Sequence, residues 1–458
     1  MTDVDVAVVG GGPAGSTAAY AAADEGADAV VYEKGVPRSD RDRLGPDSTD
    51  AAGFLDYWLD VAGLDVADIP DDVIEHDLAD AEFIGPTERV TVDRTGIDND
   101  YDAFGFTFHR ARFDDWLRDR AEAAGARYEA GTTVKTVDSH IDGDGHEHTL
   151  HLGGGETVTT EYLVLADGPQ RQITMRVLDP LLPADTQAST VLSPPDANHI
   201  AYQEYRQFPD DVFDDASLKF WWGWMPGETA YPWVFPNQGN VARVGLTMPI
   251  GLDIADFDPD DWRLLRADDD KIPSGSEYIH RFLTEVYGDE YDIDTAFPIV
   301  DDHGKAGGTE TYPISSTQPI ESPVEAGIAV TGGAMGATSA FHEGGDHVAH
   351  RTGLLAGRLA ATESLEEYND AWHDAIGDEV KRNVAMANIV GSFGPDDWDD
   401  TIRITRSMLD ATDTGSVISK SSARSAAGGL KLYGKYRKAK FGLRNGRYVS
   451  LHASDYSL

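Results

Sequence analysis

Gly10, Gly12 and Gly15 form a G-x-G-x-x-G run enclosing Pro13 and Ala14, directly after the apolar stretch 4–9 and ahead of an alanine-rich segment. That spacing suits a pyrophosphate. The first glycine permits a tight turn, the second lets a phosphate approach the backbone, and the third lets a helix pack on a strand. The helix N-terminus adds free amides and partial positive charge. Glu33, followed by Lys34, stands where a second strand would end, placed to accept hydrogen bonds from ribose hydroxyls. These residues imply dinucleotide binding, a chemistry that NAD and FAD satisfy equally.

The elements that must position them follow from residue periodicity. Residues 4–9 predict a buried strand, 10–15 a turn, 16–25 a helix and 29–32 a second strand, which together make a βαβ unit. Further helices are expected over 51–64 and 113–124, and strands over 133–138, 147–152 and 157–165, the last running into Asp167 and Gly168. Between about 189 and 248 the chain turns aromatic and strand-like, which predicts a separate sheet lined with large apolar side chains. A strand over 327–331, a glycine-rich turn and a long helix from Gly345 follow. Residues 380–409 then read as helical, interrupted around 391–398.

With 458 residues, 41% hydrophobic and 26% charged, the chain has a globular composition. It lacks cysteine, which excludes disulfides, thiolate metal sites and cysteine nucleophiles. Its start shows neither a basic leader nor an apolar signal core, so a cytoplasmic location is expected. The net charge of -44 makes nucleic acid an improbable partner and is tolerable where concentrated salt screens self-repulsion, as in a haloarchaeal cytoplasm. Residues 415–458 reverse the trend, with nine Lys or Arg against the single acid Asp455. Leu430, Leu432, Tyr433, Tyr436, Phe441 and Leu443 interleave with these bases, a pattern suited either to anionic lipid headgroups at the inner face of the membrane or to docking on the acidic body.

Three later segments choose between the dinucleotides. His109-Arg110-Ala111-Arg112-Phe113-Asp114 opens a helix, Leu163 to Gly168 ends in Ala-Asp-Gly, and Thr331 to Gly345 is a late strand-to-helix turn containing Gly332, Gly333 and Gly336. In this order, and together with Tyr231-Pro232-Trp233-Val234-Phe235-Pro236, they resemble the geranylgeranyl reductase family of FAD-dependent oxidoreductases, of haloarchaeal type and aromatic-hydroxylase-like fold. The resemblance runs to about residue 395. It implies an α/β protein: a Rossmann-like FAD-binding domain built discontinuously from 1–180 and 306–395, a substrate-binding β-sheet domain over 181–305, and a C-terminal helical region with a basic tail over 396–458.

The cofactor implied is FAD, held by the glycine run with Glu33 and Lys34, by Arg110, by Asp167 and Gly168, and by Gly332, Gly333 and Gly336. Tyr231, Trp233, Phe235 and Pro236 would line an apolar channel for a prenyl lipid or quinone side chain. The reaction implied is hydride transfer to an isolated carbon–carbon double bond and protonation of its neighbour. A monooxygenase or halogenase on the same plan, and a non-catalytic flavin- or lipid-binding relative, are the alternatives.

Departures from the family pattern are local. Gly333 stands where an aspartate holds the ribityl chain, with Glu343, Asp346 and Asp167 as available substitutes. Ala340 replaces a proline, Arg171 a serine, and Leu44-Gly45-Pro46 occupies a loop that in archaeal lipid reductases carries a cysteine. His342 is a candidate proton donor, set against a surface or N-cap role. His140, His146, His148 and His151 read as a solvated hairpin rather than a metal site, because alternation sends their side chains to both faces. No metal site and no specific catalytic residue or electron donor is assigned.

Overall fold

The computed structural model describes residues 3–37, 52–97, 99–142, 145–192, 198–304, 307–314, 318–414 and 420–458, the side chains of 410–428 excepted. Leu44-Gly45-Pro46 therefore lies outside the described residues.

The apolar run Val4–Val9 is the centre of a sheet covered on both faces, which is why it does not alternate with polar residues. Parallel strands lie in the order Arg127–Ala130, Ala29–Glu33, Val4–Val9, Thr157–Leu165, and the short strand Ile328–Val330 extends the parallel set. Along the edge away from Val4–Val9, Thr157–Leu165 serves two partners. Its first half pairs antiparallel with Gly145–Leu152, whose hairpin mate is Val134–Asp142, and its last three residues take Ile328–Val330.

One face of this sheet carries the helices Pro13–Asp24 and Asp346–Ala361. Small residues let them approach closely: a Cβ on Gly353 would lie 2.2 Å from the Ala14 carbonyl oxygen, and one on Gly357 2.0 Å from that of Ala18. The alanines of the first helix are thus a packing requirement as well as a matter of helix propensity. Thr17 Oγ1 and His350 Nδ1, 2.8 Å apart, add a buried polar tie between the two helices.

A second sheet runs Thr309–Ile314, His199–Gln207, Val241–Pro249, Tyr231–Asn237, Ser217–Trp221, Asp80–Ile84, Arg89–Val92. Period-two alternation divides its side chains. Val234 faces a core completed by the helix Gly275–Tyr287, whose Tyr278, Ile279, Phe282 and Leu283 are buried. Tyr231, Trp233 and Phe235 face the other way, into a separate aromatic cluster. A small third sheet, Gly53–Leu55, Gly105–Phe108 and Ile74–Leu78, bridges the two parts.

Two expectations require correction. The helix expected over 51–64 is confined to Asp56–Ala62, and Gly53–Leu55 is instead a strand paired with Gly105–Phe108. The cause is tertiary: Gly105 lets the Phe54 backbone in so closely that a Cβ there would sit 2.3 Å from the Phe54 carbonyl oxygen. The histidine hairpin is not wholly solvated either. His148 is fully buried and its ring pairs with Ser139 Oγ at 2.8 Å, while His146 packs edge-on against Tyr162. Even-numbered residues of that strand face the core, so only His140 and His151 keep substantially exposed side chains. Among the described residues no three His, Asp or Glu side chains converge as metal ligands.

The helices Tyr368–Val390, Pro395–Thr414 and Lys420–Gly442 follow, and the break expected around 391–398 is confined to 391–394. The basic region both docks and projects. Leu443, Val449 and Leu451 are buried in the main core and Tyr456 donates to the Glu321 carbonyl at 2.8 Å, whereas Leu430, Tyr433 and Phe441 stay exposed. Among the described residues no helix is long and apolar enough to cross a membrane.

Candidate active site

The glycine run forms the expected strand-to-helix turn. Gly10 takes φ +101°, and a Cβ there would lie 2.4 Å from the Ala166 carbonyl oxygen. A Cβ on Gly15 would lie 1.9 Å from the Gly10 carbonyl oxygen, so helix and strand touch only because both residues are glycine. Gly12 differs. Nothing lies within 4 Å of its Cβ position, so the space in front of the helix N-terminus is open to a ligand. Pro13 occupies the first turn, where its missing N–H costs nothing. The residues present therefore fit a pyrophosphate.

Beside this turn is a cavity of about 120 Å³ walled by Gly11, Glu33, Arg118 and Tyr128, of the kind an adenosine would enter. Glu33 is held at its edge, Oε2 accepting from the Gly11 N–H at 2.7 Å and Oε1 from the Gly35 N–H at 2.6 Å. Lys34 is exposed and does not line the cavity. No motif marks Tyr128, yet its hydroxyl donates to the Gly11 carbonyl at 2.6 Å and braces the turn.

The middle of the cofactor path is built from distant segments. Arg110 pairs with Asp114 at 2.6 Å with its side chain 11% exposed. The Asp167 carboxylate is taken up by the helix Gln172–Leu178, accepting from the Ile173 N–H at 2.7 Å, the Thr174 N–H at 3.2 Å and the Thr174 hydroxyl. It shapes the Ala-Asp-Gly turn and is not free to replace the aspartate lost at Gly333. Arg171, fully buried, donates from Nε to the Ala334 carbonyl at 2.9 Å and ties that turn to the late one.

In the late turn, Gly332 has φ +55° and donates its N–H to Thr352 Oγ1 at 3.0 Å, and Gly336 ends the short helix Gly332–Met335 at φ +83°. A Cβ on Gly333 would meet the Pro169 nitrogen and Cδ at 3.3 Å, so the missing aspartate is matched by a tight local fit. Asp346 stands at the start of the following helix. Its Oδ2 is buried without a hydrogen-bond partner, and burial raises its pKa against the pull of Arg110. A buried carboxyl oxygen left unpaired is an acceptor waiting for a donor, and ribityl hydroxyls are such donors.

Immediately beyond lies a largely apolar cavity of about 440 Å³. Gly344, Gly345 and Asp346 line it together with Tyr231, Trp233 and Phe235. Trp233 lies flat on the next strand because Gly245 opposes it: a Cβ there would come within 2.3 Å of the indole. Pro236, one residue out of phase with the three aromatics, does not line the cavity. Trp222, stacked on Tyr231 at 4.2 Å and on Phe341 at 5.6 Å, carries the aromatic wall back to the late turn. Phe83, Phe104 and Phe220 come from separate segments that no single motif joins.

The ionisable groups of this cavity have unusual settings. Tyr231 donates to the His342 carbonyl at 2.8 Å, and burial holds Tyr231 and Tyr312 far above the ordinary phenol range. His342 accepts the Gly344 N–H on Nδ1 at 3.2 Å, a turn-forming role, and burial with His347 nearby lowers its pKa to about 4. Glu343, whose side chain is 2% exposed, accepts from Thr229 Oγ1 at 2.7 Å and Thr247 Oγ1 at 2.5 Å. Burial raises its pKa to about 8 against the effect of both hydroxyls.

Residues 5–65 match the family described as FAD binding domain. The chain is 25% identical over 425 residues to the digeranylgeranylglycerophospholipid reductase of Methanocaldococcus jannaschii, covering 90% of this chain and 93% of that protein. It is 28% identical over 258 residues to the geranylgeranyl diphosphate reductase of Synechocystis, covering 54% and 55%. Among solved structures, the geranylgeranyl bacteriochlorophyll reductase-like protein of Thermoplasma acidophilum has the same fold, with TM-score 0.67, 19% identity and coverage of 96% and 98%. Glycine turn, cofactor path and kinship together make this chain an FAD-dependent oxidoreductase, related along most of its length to the geranylgeranyl reductases.

Proposed function

We propose that this protein saturates isolated carbon–carbon double bonds of a prenyl chain carried by a geranylgeranylated glycerophospholipid. The observation that carries the reading is the aromatic cavity of about 440 Å³ opening directly onto Gly344, Gly345 and Asp346. A hydrocarbon chain offers a protein only apolar contact, and flat rings on a strand provide it along an extended path. Bound reduced FAD supplies the hydride. The chain's own share is to hold the alkene in the aromatic channel, exclude water and deliver a proton. Full-length similarity to the M. jannaschii reductase supports a lipid-linked substrate over a free diphosphate or a quinone tail.

Access to such a substrate is the second part of the reading. The outer side of Lys420–Gly442 presents Leu430, Tyr433 and Phe441 beside Lys431, Lys435, Arg437 and Lys438, all exposed. Lys435 lies over Phe393 at 5.9 Å, and Phe393 packs on Trp398, which contacts the cavity residue Trp222 at 4.5 Å. A basic, aromatic face thus adjoins the cavity wall, and we infer that it rests on anionic lipid headgroups.

The test is reduction of a geranylgeranyl lipid by protein purified in molar salt, loaded with FAD and reduced with dithionite without oxygen. Mass spectrometry is expected to show a gain of one H2 for each double bond. Unchanged lipid in the presence of stoichiometric bound FAD overturns the proposal, and oxygen-dependent hydroxylation or halogenation of a small ring would replace it. Co-sedimentation with anionic but not zwitterionic vesicles, lost when the four basic residues become glutamine, tests the docking face.

A further inference from the structure

We propose that Glu343 is the acid that protonates the substrate carbon, held in place for that purpose by Thr229, Thr247 and His199. The inference rests on the prenyl-reductase reading above and names a residue for its second half-step.

Placement comes first. Glu343 lines the cavity between the Asp346 end and the aromatic strand, the region an alkene must occupy to meet both. Its backbone sits at φ +60°, a conformation that favours glycine, so the side chain is kept there against the backbone's own preference. Two threonine hydroxyls, Thr229 in the turn ahead of Tyr231–Asn237 and Thr247 on Val241–Pro249, fix the carboxyl, and His199 Nε2 lies 3.3 Å from Oε1. The same imidazole nitrogen is 3.1 Å from the Glu228 carbonyl, an acceptor only, so it carries the hydrogen. Burial disfavours the charged form of each partner, lowering the pKa of His199 and raising that of Glu343.

Other groups facing this site are poorer proton sources at neutral pH. His342 has already lost its proton and Tyr231 and Tyr312 hold theirs too firmly, while Asp346, whose pKa burial also raises, is set beside Arg110 and His347, which favour its charged form. Glu228, the residue before Thr229, is exposed, and its charge adds to the upward pull on Glu343. It marks the side from which solvent returns a proton.

The balance closes. The alkene receives two electrons and one hydrogen as hydride at one carbon, with reduced FAD as the reductant. Its π bond breaks, and the neighbouring carbon takes the proton from Glu343. C=C becomes CH–CH, the flavin is left oxidised, and the glutamate is left as carboxylate until water reprotonates it. An acid with a pKa close to the working pH suits this transfer.

Glu343→Gln keeps the shape and the hydroxyl contacts but removes the acid. Single-turnover reduction of a geranylgeranyl lipid is expected to slow by at least about 100-fold, with FAD content unchanged. In the absence of FAD and substrate, infrared spectra of the wild type should show a protonated carboxyl band that titrates near pH 8 and is missing from the variant. If Glu343→Gln fails to fold, Thr247→Val takes its place: loss of a hydroxyl that favours the carboxylate should move the alkaline limb of the rate profile upward. Equal rates in wild type and Glu343→Gln, an unmoved alkaline limb in Thr247→Val, or no titrating band, overturn the assignment while leaving the reductase reading intact. A wild type that saturates no prenyl chain overturns both.

Discussion

Replacing Glu343 with glutamine separates the cost of its charge from its packing, and the difference is measurable without cofactor or substrate. In the folded protein the carboxyl titrates at about 8, against an ordinary value of 4.5. Below about 4.5 it is neutral in both states and its contribution is fully present. Between 4.5 and about 8 the unfolded chain ionises while the folded chain stays protonated, so unfolding releases a proton and stability falls as pH rises. Above 8 both states are ionised and the loss is complete. At about 1.4 kcal/mol per pH unit the interval corresponds to a loss of up to about 5 kcal/mol. The side chain is only 2% exposed, so solvent screening takes little from that figure. Guanidinium unfolding in molar KCl, followed by tryptophan fluorescence at pH 5, 7 and 9, should find Glu343→Gln progressively more stable than the wild type as pH rises. Other titrating groups are common to both proteins and cancel. Parallel stability curves across that range would refute the reasoning, because they would mean that the carboxyl ionises in place at no cost.

Other expectations are simpler to state. Gly12→Ala, whose new methyl would meet nothing in the protein, should leave the melting temperature of FAD-free protein unchanged and weaken FAD binding, whereas Gly15→Ala should destabilise the fold itself. Asp346→Ala should lower FAD affinity at least about tenfold, about 1.4 kcal/mol, without destabilising FAD-free protein, since it removes an unpaired buried carboxyl. Isothermal titration and thermal scans distinguish these outcomes. With a net charge of -44, transfer from molar to about 0.1 M KCl lengthens screening from about 3 Å to about 10 Å and should unfold the chain, visible as lost far-UV circular dichroism.

The parts of the site legible in the sequence are those made by neighbours in the chain. Gly10, Gly12, Gly15 and Glu33 act through one turn and two short strands, and their spacing carries the geometry. Tyr231, Trp233 and Phe235 declare a shared face by alternation, which also puts Pro236 on the other side. What stayed hidden depends on long-range contacts. Nothing near Glu343 in the sequence announces a buried acid, because Thr229 and Thr247 lie 114 and 96 residues away. Asp346 likewise gains its unpaired oxygen only when its helix meets Arg110. Gly53–Leu55 became a strand because Gly105 admits its backbone, a tertiary effect that overrides local propensity.

The close seating of Gly353 and Gly357 on Ala14 and Ala18 bears on when this protein becomes itself. Thr17 and His350, which seal that contact, are 333 positions apart. At a synthesis rate of about 5 to 20 residues per second, the glycine turn waits roughly 20 to 70 s on the ribosome before its partner helix exists. Until then the parallel sheet lacks its last strand and one of its covering helices, an interval in which exposed apolar surface invites aggregation. Flavin capture is thus a late event in the life of each chain, and a nascent polypeptide cut short before this helix should be unable to retain cofactor even with every residue of its glycine motif in place.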